Sequence, residues 1–196
     1  MAANPAPAAA VTIANPGPLG LSGFALTTFT LMLIKVGAIT GAELGVVIGL
    51  AVAYGGLAQF VAGMWEFRSG NTFGATAFTS FGAFWLSFAV IVTHFGGASA
   101  TGTGVGWYEI GWGVFTGLMA LGSFKTNVAT AVVFVLLFAT FILLGLGDLQ
   151  TNINITHVGG YVGIATAIAA WYTALAGVLT GVNNGKAILP VFPLNR

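Results

Sequence analysis

Long uncharged apolar stretches, separated by single charges or short polar clusters, organise this chain. Nothing is charged from Met1 to Ile34, and the apolar part of that stretch predicts a first span over about Leu19 to Val36. Leu44 to Trp65 lies uncharged between Glu43 and Glu66 and predicts a second. The run after Arg68 divides into a third span, about Thr72 to Val92, and a Gly/Ser/Thr-rich loop, Gly96 to Gly106. A fourth and shortest span covers about Trp107 to Phe124, and a fifth about Asn127 to Leu146. A polar stretch, Gln150 to His157, precedes a sixth over about Val158 to Val182. A crossing takes about 20 residues, so the pattern predicts an all-α integral membrane protein, a small bundle of six transmembrane helices. Residues 15–185 form its single domain. Residues 1–14 read as a disordered Ala/Pro-rich tail without the basic start of a cleaved signal, and residues 186–196 as a C-terminal tail.

Composition agrees. Of 196 residues, 57% are hydrophobic and 5% charged, with a mean hydropathy of +0.98. A soluble domain carries about 25% charged residues. A net charge of +1 supplies no basic face for nucleic acid. Without cysteine there is no disulfide, thiolate nucleophile or Cys-based metal site, and no cofactor or metal is expected. An even number of spans puts both termini on one side with Arg68, Lys125, Lys186 and Arg196, against Lys35 on the other. The positive-inside rule makes the terminal side cytoplasmic.

Small residues replace the hydrophobic effect as the means of helix packing in lipid. Gly159, Gly160 and Gly163 at the start of span six, and Gly41, Gly45, Gly49 and Ala53 along span two, read as contact faces, within the chain or between subunits. Gly23–Lys35 and Gly111–Lys125 share a loose pattern, as inverted repeats would.

Polar candidates concentrate at helix starts. Asn15 before Pro16, and Asn71 before Thr72, read as caps of spans one and three. Span five starts on the same side near Asn127. Three such ends around one vestibule attract an anion without a buried cation. Thr72, Thr76, Thr79 and Ser80 share one face of span three. Thr27, Thr28, Thr30, Tyr54 and Gln59 add further polar groups. These residues either line a polar path or bond their own helices. No ionisable group falls in the central part of a span. Glu66 beside Arg68 reads as a surface ion pair or as a proton-linked group, and His157 as a structural hydrogen-bonder or a pH sensor. The acids are scattered and the two histidines far apart, so no enzyme site emerges.

The segments N-P-G-P-L-G-L at 15–21, Y-G-G-L-A-Q at 54–59 and E-F-R-S-G-N-T-F-G-A-T-A-F-T-S-F-G-A-F-W at 66–85 closely resemble the acetate uptake transporter family. W-G-V-F-T at 112–116 and the Gly-rich helix start after His157 extend the resemblance through the chain. The resemblance implies six helices per subunit, a hexameric ring and a separate pathway through each subunit. It implies transport of acetate and other short carboxylates, including succinate or lactate in some members. In bacterial members Phe, Tyr and Leu form a hydrophobic constriction, and the matching positions here are Phe24, Phe81 and Leu136. Phe81 lacks the hydroxyl of the common Tyr. Ala170 matches a position where size affects substrate range, and Asn15, Gln59 and Glu66 match recurrent positions. A hydrophobic ring of this kind gates by dewetting. Channel-like flow and proton coupling both remain open, as does a channel for small neutral or cationic solutes such as ammonia, ammonium or urea.

Overall fold

The computed structural model describes residues 13–95 and 101–194. The N-terminal tail up to residue 12, the first part of the 96–106 loop and Arg196 lie outside the described residues. Every regular element within them is helical: α1 Gly17–Lys35, α2 Leu44–Val52, α3 Gln59–Ser69, α4 Thr72–His94, α5 Gly102–Ser123, α6 Val128–Leu149 and α7 Ile153–Val182. A 3-10 turn, Gly41–Glu43, leads into α2, and a π-helical segment, Ala53–Ala58, joins α2 to α3, so Gly41–Ser69 is one continuous rod. Five rods are long and apolar enough to cross a membrane: Gly17–Lys35, Gly41–Ser69, Thr72–His94, Val128–Leu149 and Ile153–Val182. α5 matches them in length with 22 residues, but its glycines and Glu109 dilute its hydropathy.

Two boundaries differ from the sequence reading. α5 begins at Gly102, not near Trp107, because Thr101 caps it by accepting the Gly104 N–H. Its glycines then pack instead of breaking the helix. A Cβ on Gly106 would stand 2.9 Å from the Gly145 carbonyl of α6. α7 begins at Ile153, not Val158, since Asn152 accepts the Asn154 and Ile155 N–H groups. The polar run is therefore a tight turn followed by helix, and His157 lies within α7.

The rods form a ring. α5 packs on α6, α6 on α7, α7 on α1, and α1 on the π segment and its flanking helices, which pack on α4. α4 returns to α5 through large side chains, with Phe84 against Tyr108 and Trp112. The closest crossing is between α1 and the π segment. A Cβ on Gly23 would stand 2.5 Å from the Tyr54 carbonyl, and one on Gly55 2.6 Å from the Thr27 hydroxyl. A π turn is wider than an α turn, and glycine lets two backbones approach this closely.

The two glycine stripes part company. Gly159, Gly160 and Gly163 abut Leu144, Val36 and Met32, an intramolecular contact face. Gly41, Gly45 and Gly49 have nothing within 4 Å of a would-be Cβ and face outward. Large apolar side chains such as Leu118, Leu121 and Val182 are exposed around the outside. Surfaces this apolar mark membrane or protein contact.

Candidate functional site

Two cavities lie in the bundle of described residues, one at the end where residues 15–18 and 187–191 meet (the terminal cavity) and one toward the opposite end (the far cavity). The terminal cavity, about 340 Å³, is lined by the starts of α1, α4 and α6, the end of α7 and the segment after it. The three helix starts thus converge as their sequence predicts. Three asparagines cap them: Asn15 accepts from Gly17 N–H at 2.9 Å, Asn71 from Gly74 N–H at 3.1 Å and Asn127 from Thr130 N–H at 2.8 Å. Asn15 stands one residue earlier than a true cap, a place taken by Pro16, with Pro18 at the second helical position. The first turn of α6 has no donor to spare, because Val128 N–H and Ala129 N–H bond the Phe192 and Val191 carbonyls. The C-terminal segment is accordingly docked, with Tyr172 also donating to the Pro190 carbonyl at 2.7 Å. An anion in this cavity meets the field of three helix ends more than bare N–H groups.

Glu66 is the carboxyl of this cavity. It is 2% exposed and makes no ion pair with Arg68, contrary to the surface-pair reading. Its Oε2 accepts from Asn71 Nδ2 at 2.9 Å and Ser69 Oγ at 3.2 Å. The physical reason is the sharp end of α3. Gly70 adopts φ +79 and the Asn71 N–H returns to the Glu66 carbonyl, folding Asn71 back over the carboxyl. Three helix N-termini, each worth about +0.5 charge, offset this one carboxylate. The 15–21 motif completes the wall: Pro18 packs where Gly177 has no side chain, and Gly20 admits the ring of Phe78.

An aromatic partition separates the cavities. Phe81 is 3% exposed, and its ring lies 6.1 Å from Phe24, 6.2 Å from Phe134, 5.5 Å from Phe115 and 6.5 Å from Phe141. Phe134 lines the terminal cavity, whereas Phe24 and Phe141 line the far one. Trp112 also stands 6.1 Å from Phe81, and its indole N–H is the one polar group among these rings. Leu136 is half-buried and lines neither cavity, whereas Leu137 is buried and lines the far one. The inward face of α6 runs Phe134, Leu137, Phe141, Leu144, at spacings of three and four, and that apolar periodicity is the signal that separates Leu137 from its neighbour. Ala170 is fully buried in the same core cluster and lines neither cavity.

The far cavity, about 60 Å³, is apolar apart from Thr28, Lys35, Trp85, Tyr108, Glu109 and Thr140. Lys35 Nζ stands 3.7 Å from Glu109 Oε1 and 3.6 Å from Asp148 Oδ2. This cluster escapes sequence reading because its members are far apart in the chain. The available signal is that all three fall at span ends on one side.

The structure disperses the other polar candidates. Among them, Asn15, Asn71, Asn127 and Glu66 line the terminal cavity. The hydroxyl stripe of α4 turns away, because Gly74, Ala77, Phe84 and Phe88 line the cavities from another side of that helix. Thr72 is exposed and Thr76 half-buried, while Thr79 abuts Gly63 of α3 and Ser80 faces α5. Thr27 donates to its own helix at the Gly23 carbonyl. Tyr54 lies in the π segment, and Gln59, at 1% exposure, lines neither cavity. His157 sits near Gly37 at the far end, outside both cavities.

A model of the GPR1/FUN34/yaaH family matches residues 1–196. The chain is 42% identical over 193 residues to the ammonia transport outward protein 2 of Saccharomyces cerevisiae, covering 94% of this chain and 68% of that protein. It is 39% identical over 186 residues to the succinate-acetate/proton symporter SatP of Escherichia coli, covering 91% of this chain and 95% of that one. The solved structure of the bacterial acetate channel SatP matches with a TM-score of 0.86 and 38% identity, over 92% of this chain and 99% of that one.

Proposed function

The chain belongs to the GPR1/FUN34/yaaH family, and from that membership and the two-cavity geometry we propose that it carries acetate and related short carboxylates across a membrane through a pathway within each subunit. The observation that carries this reading is the apolar partition around Phe81 with a cavity on either side, each holding charged or polar side chains. An ion's charge is costly in hydrocarbon, and a dewetted ring between two sites with polar groups confines that cost to one short step. The protein is a transporter, not an enzyme. Six rods span the cell membrane, α5 included, with both termini cytoplasmic. The terminal cavity is the cytoplasmic vestibule, where Asn15, Asn71 and the helix ends receive the anion and Glu66 holds Asn71 and Ser69 in place. Ala170 limits the size of the substrate through the packing of α7 against α1. The outward stripe Gly41, Gly45, Gly49 supports a homo-oligomer, and the assembly is a hexamer.

The test is labelled-acetate uptake into proteoliposomes, with and without a pH gradient, while membrane current is read. Inward anion current that follows voltage means channel-like flow. Uptake that follows the proton gradient without net charge means symport. Phe24→Ala is expected to raise the basal leak, and no acetate movement under either condition would refute the reading. Small cationic or neutral solutes form the second reading, favoured by the name of the yeast relative. Competition of ammonium with labelled acetate separates the two.

A further inference from the structure

Lys35, at the end of α1, faces two carboxyls from different helices, Glu109 of α5 and Asp148 of α6. With all three ionised the cluster sums to one negative charge. That is an unsuitable entrance for a carboxylate, yet Lys35 and Glu109 line the far cavity. Glu109 is 8% exposed, and its Oε2 is buried without a partner among the described residues. Two more buried polar atoms without partners, Thr28 Oγ1 and Trp85 Nε1, belong to residues lining the same cavity. Thr28 stands out from its neighbours, since Thr27 and Thr30 bond the carbonyls four residues back. A hydroxyl, an indole N–H and an ammonium are a donor set for a carboxylate. A water needs about 10–15 Å³ of such space, so 60 Å³ suits a molecule of a few heavy atoms. The one group opposed to that ligand is the free oxygen of Glu109.

We propose that Glu109 is the proton-binding residue that admits a substrate carboxylate to the far cavity. The inference rests on the carboxylate-transport reading. A proton from the aqueous phase bonds Glu109 Oε2, and the substrate carboxylate takes over Glu109's share of Lys35. Before loading, Lys35, Asp148 and Glu109 sum to one negative charge. Afterwards Lys35, Asp148, neutral Glu109 and the anion sum to the same, so anion and proton enter together without change of net charge. The remaining neighbours are accounted for. The Tyr108 phenol contacts Ser87 Oγ at 2.6 Å and donates to the Phe84 carbonyl. α4 offers the cavity no titratable group, and His157 of α7 lies outside it.

Purified protein in proteoliposomes tests this, with labelled-acetate uptake read against external pH at a fixed anion concentration and proton entry read by a trapped pH dye. Protein-free vesicles are subtracted. Wild type is expected to take up one proton per acetate, with uptake falling about tenfold per pH unit on the alkaline limb, as one required proton dictates. Glu109→Gln should flatten that limb to less than about twofold per unit and convert uptake into anion current. Asp148→Asn should keep the limb. Should Glu109→Gln fail to assemble, Glu109→Asp gives the readout by a displaced midpoint. A Glu109→Gln protein with the wild-type slope and proton ratio overturns the proposal and makes the free acid the proton carrier. So does an unmoved midpoint in Glu109→Asp. Wild-type uptake without protons overturns it while leaving the transport reading intact. A folded wild type that moves no acetate sinks both.

Discussion

The two cavities solve the same electrostatic problem differently. The terminal cavity is roomy and holds one buried carboxyl, Glu66, stabilised by neutral donors and faced by three helix starts. The far cavity is small and holds full charges, one cation shared between two carboxyls. Helix ends provide a diffuse positive field that cannot be titrated away. A side-chain cluster provides localised charge that a proton or a competing carboxylate can rearrange. The contrast predicts that uptake depends on pH through the far cavity and that the terminal cavity accepts a wider range of anions.

The largest effect is expected from erasing the boundary between the two. Phe81→Ala removes the ring that stands between Phe134 of the terminal cavity and Phe24 and Phe141 of the far one, and truncating a buried Phe costs about 3–5 kcal/mol. A lowered melting temperature, together with a leak to larger anions such as succinate, is the expected pair of results. A tight, selective Phe81→Ala protein would show that the barrier lies elsewhere.

Next come Leu137→Ala and Leu136→Ala, measured side by side. The first enlarges the far cavity and costs about 2–5 kcal/mol, with a broadened substrate range in uptake assays. The second acts on a half-buried side chain and should be milder in both. The reverse order would displace Leu137 from the pathway.

Lys35→Ala leaves the two far carboxyls facing each other. Its cost should fall below the ~3–5 kcal/mol of breaking a fully buried pair, since the Lys35 side chain is 20% exposed. Uptake should weaken most at high pH, where both carboxyls are ionised. At the terminal cavity, Glu66→Ala removes the acceptor of Asn71 Nδ2, a loss of about 0.5–1.5 kcal/mol because Asn71 is exposed and can turn to water, with a slower rate and an unchanged pH slope. A pH slope that disappears with Glu66 and survives the loss of Glu109 would exchange the roles of the two ends. The smallest effect belongs to Tyr172→Phe, which frees the Pro190 carbonyl and loosens the docked C-terminal segment by about 0.5–1.5 kcal/mol. Proteolysis of that segment is the sensitive measure.

Much of this was legible in the sequence because lipid imposes simple rules. Uncharged runs of membrane length mark the helices, and caps and glycines mark their ends. The 15–21 and 66–85 motifs carry the family, and alternating direction puts Asn15, Asn71 and Asn127 on one side, though their meeting in one cavity is set by packing. Local pattern could not tell which side of each helix faces inward when nearly all sides are apolar. Thus the pattern did not single out Leu137, which lines the far cavity beside the half-buried family match Leu136, and the α4 hydroxyl stripe read as a path or as helix bonds although it faces away. Nor could it tell that Thr101 and Asn152 start their helices earlier than the hydropathy does. Glu66 turned from a surface pair into a buried hydrogen-bonded acid because the chain folds back at Gly70. Lys35, Glu109 and Asp148 became one cluster only when α1, α5 and α6 packed together. The sequence by itself determined a helical membrane bundle and its family, since hydrophobic length and capping are local properties. Only the tertiary structure decided the partition around Phe81 and the charge sharing at Lys35, because both are meetings of distant residues, and their energies depend on distance and burial.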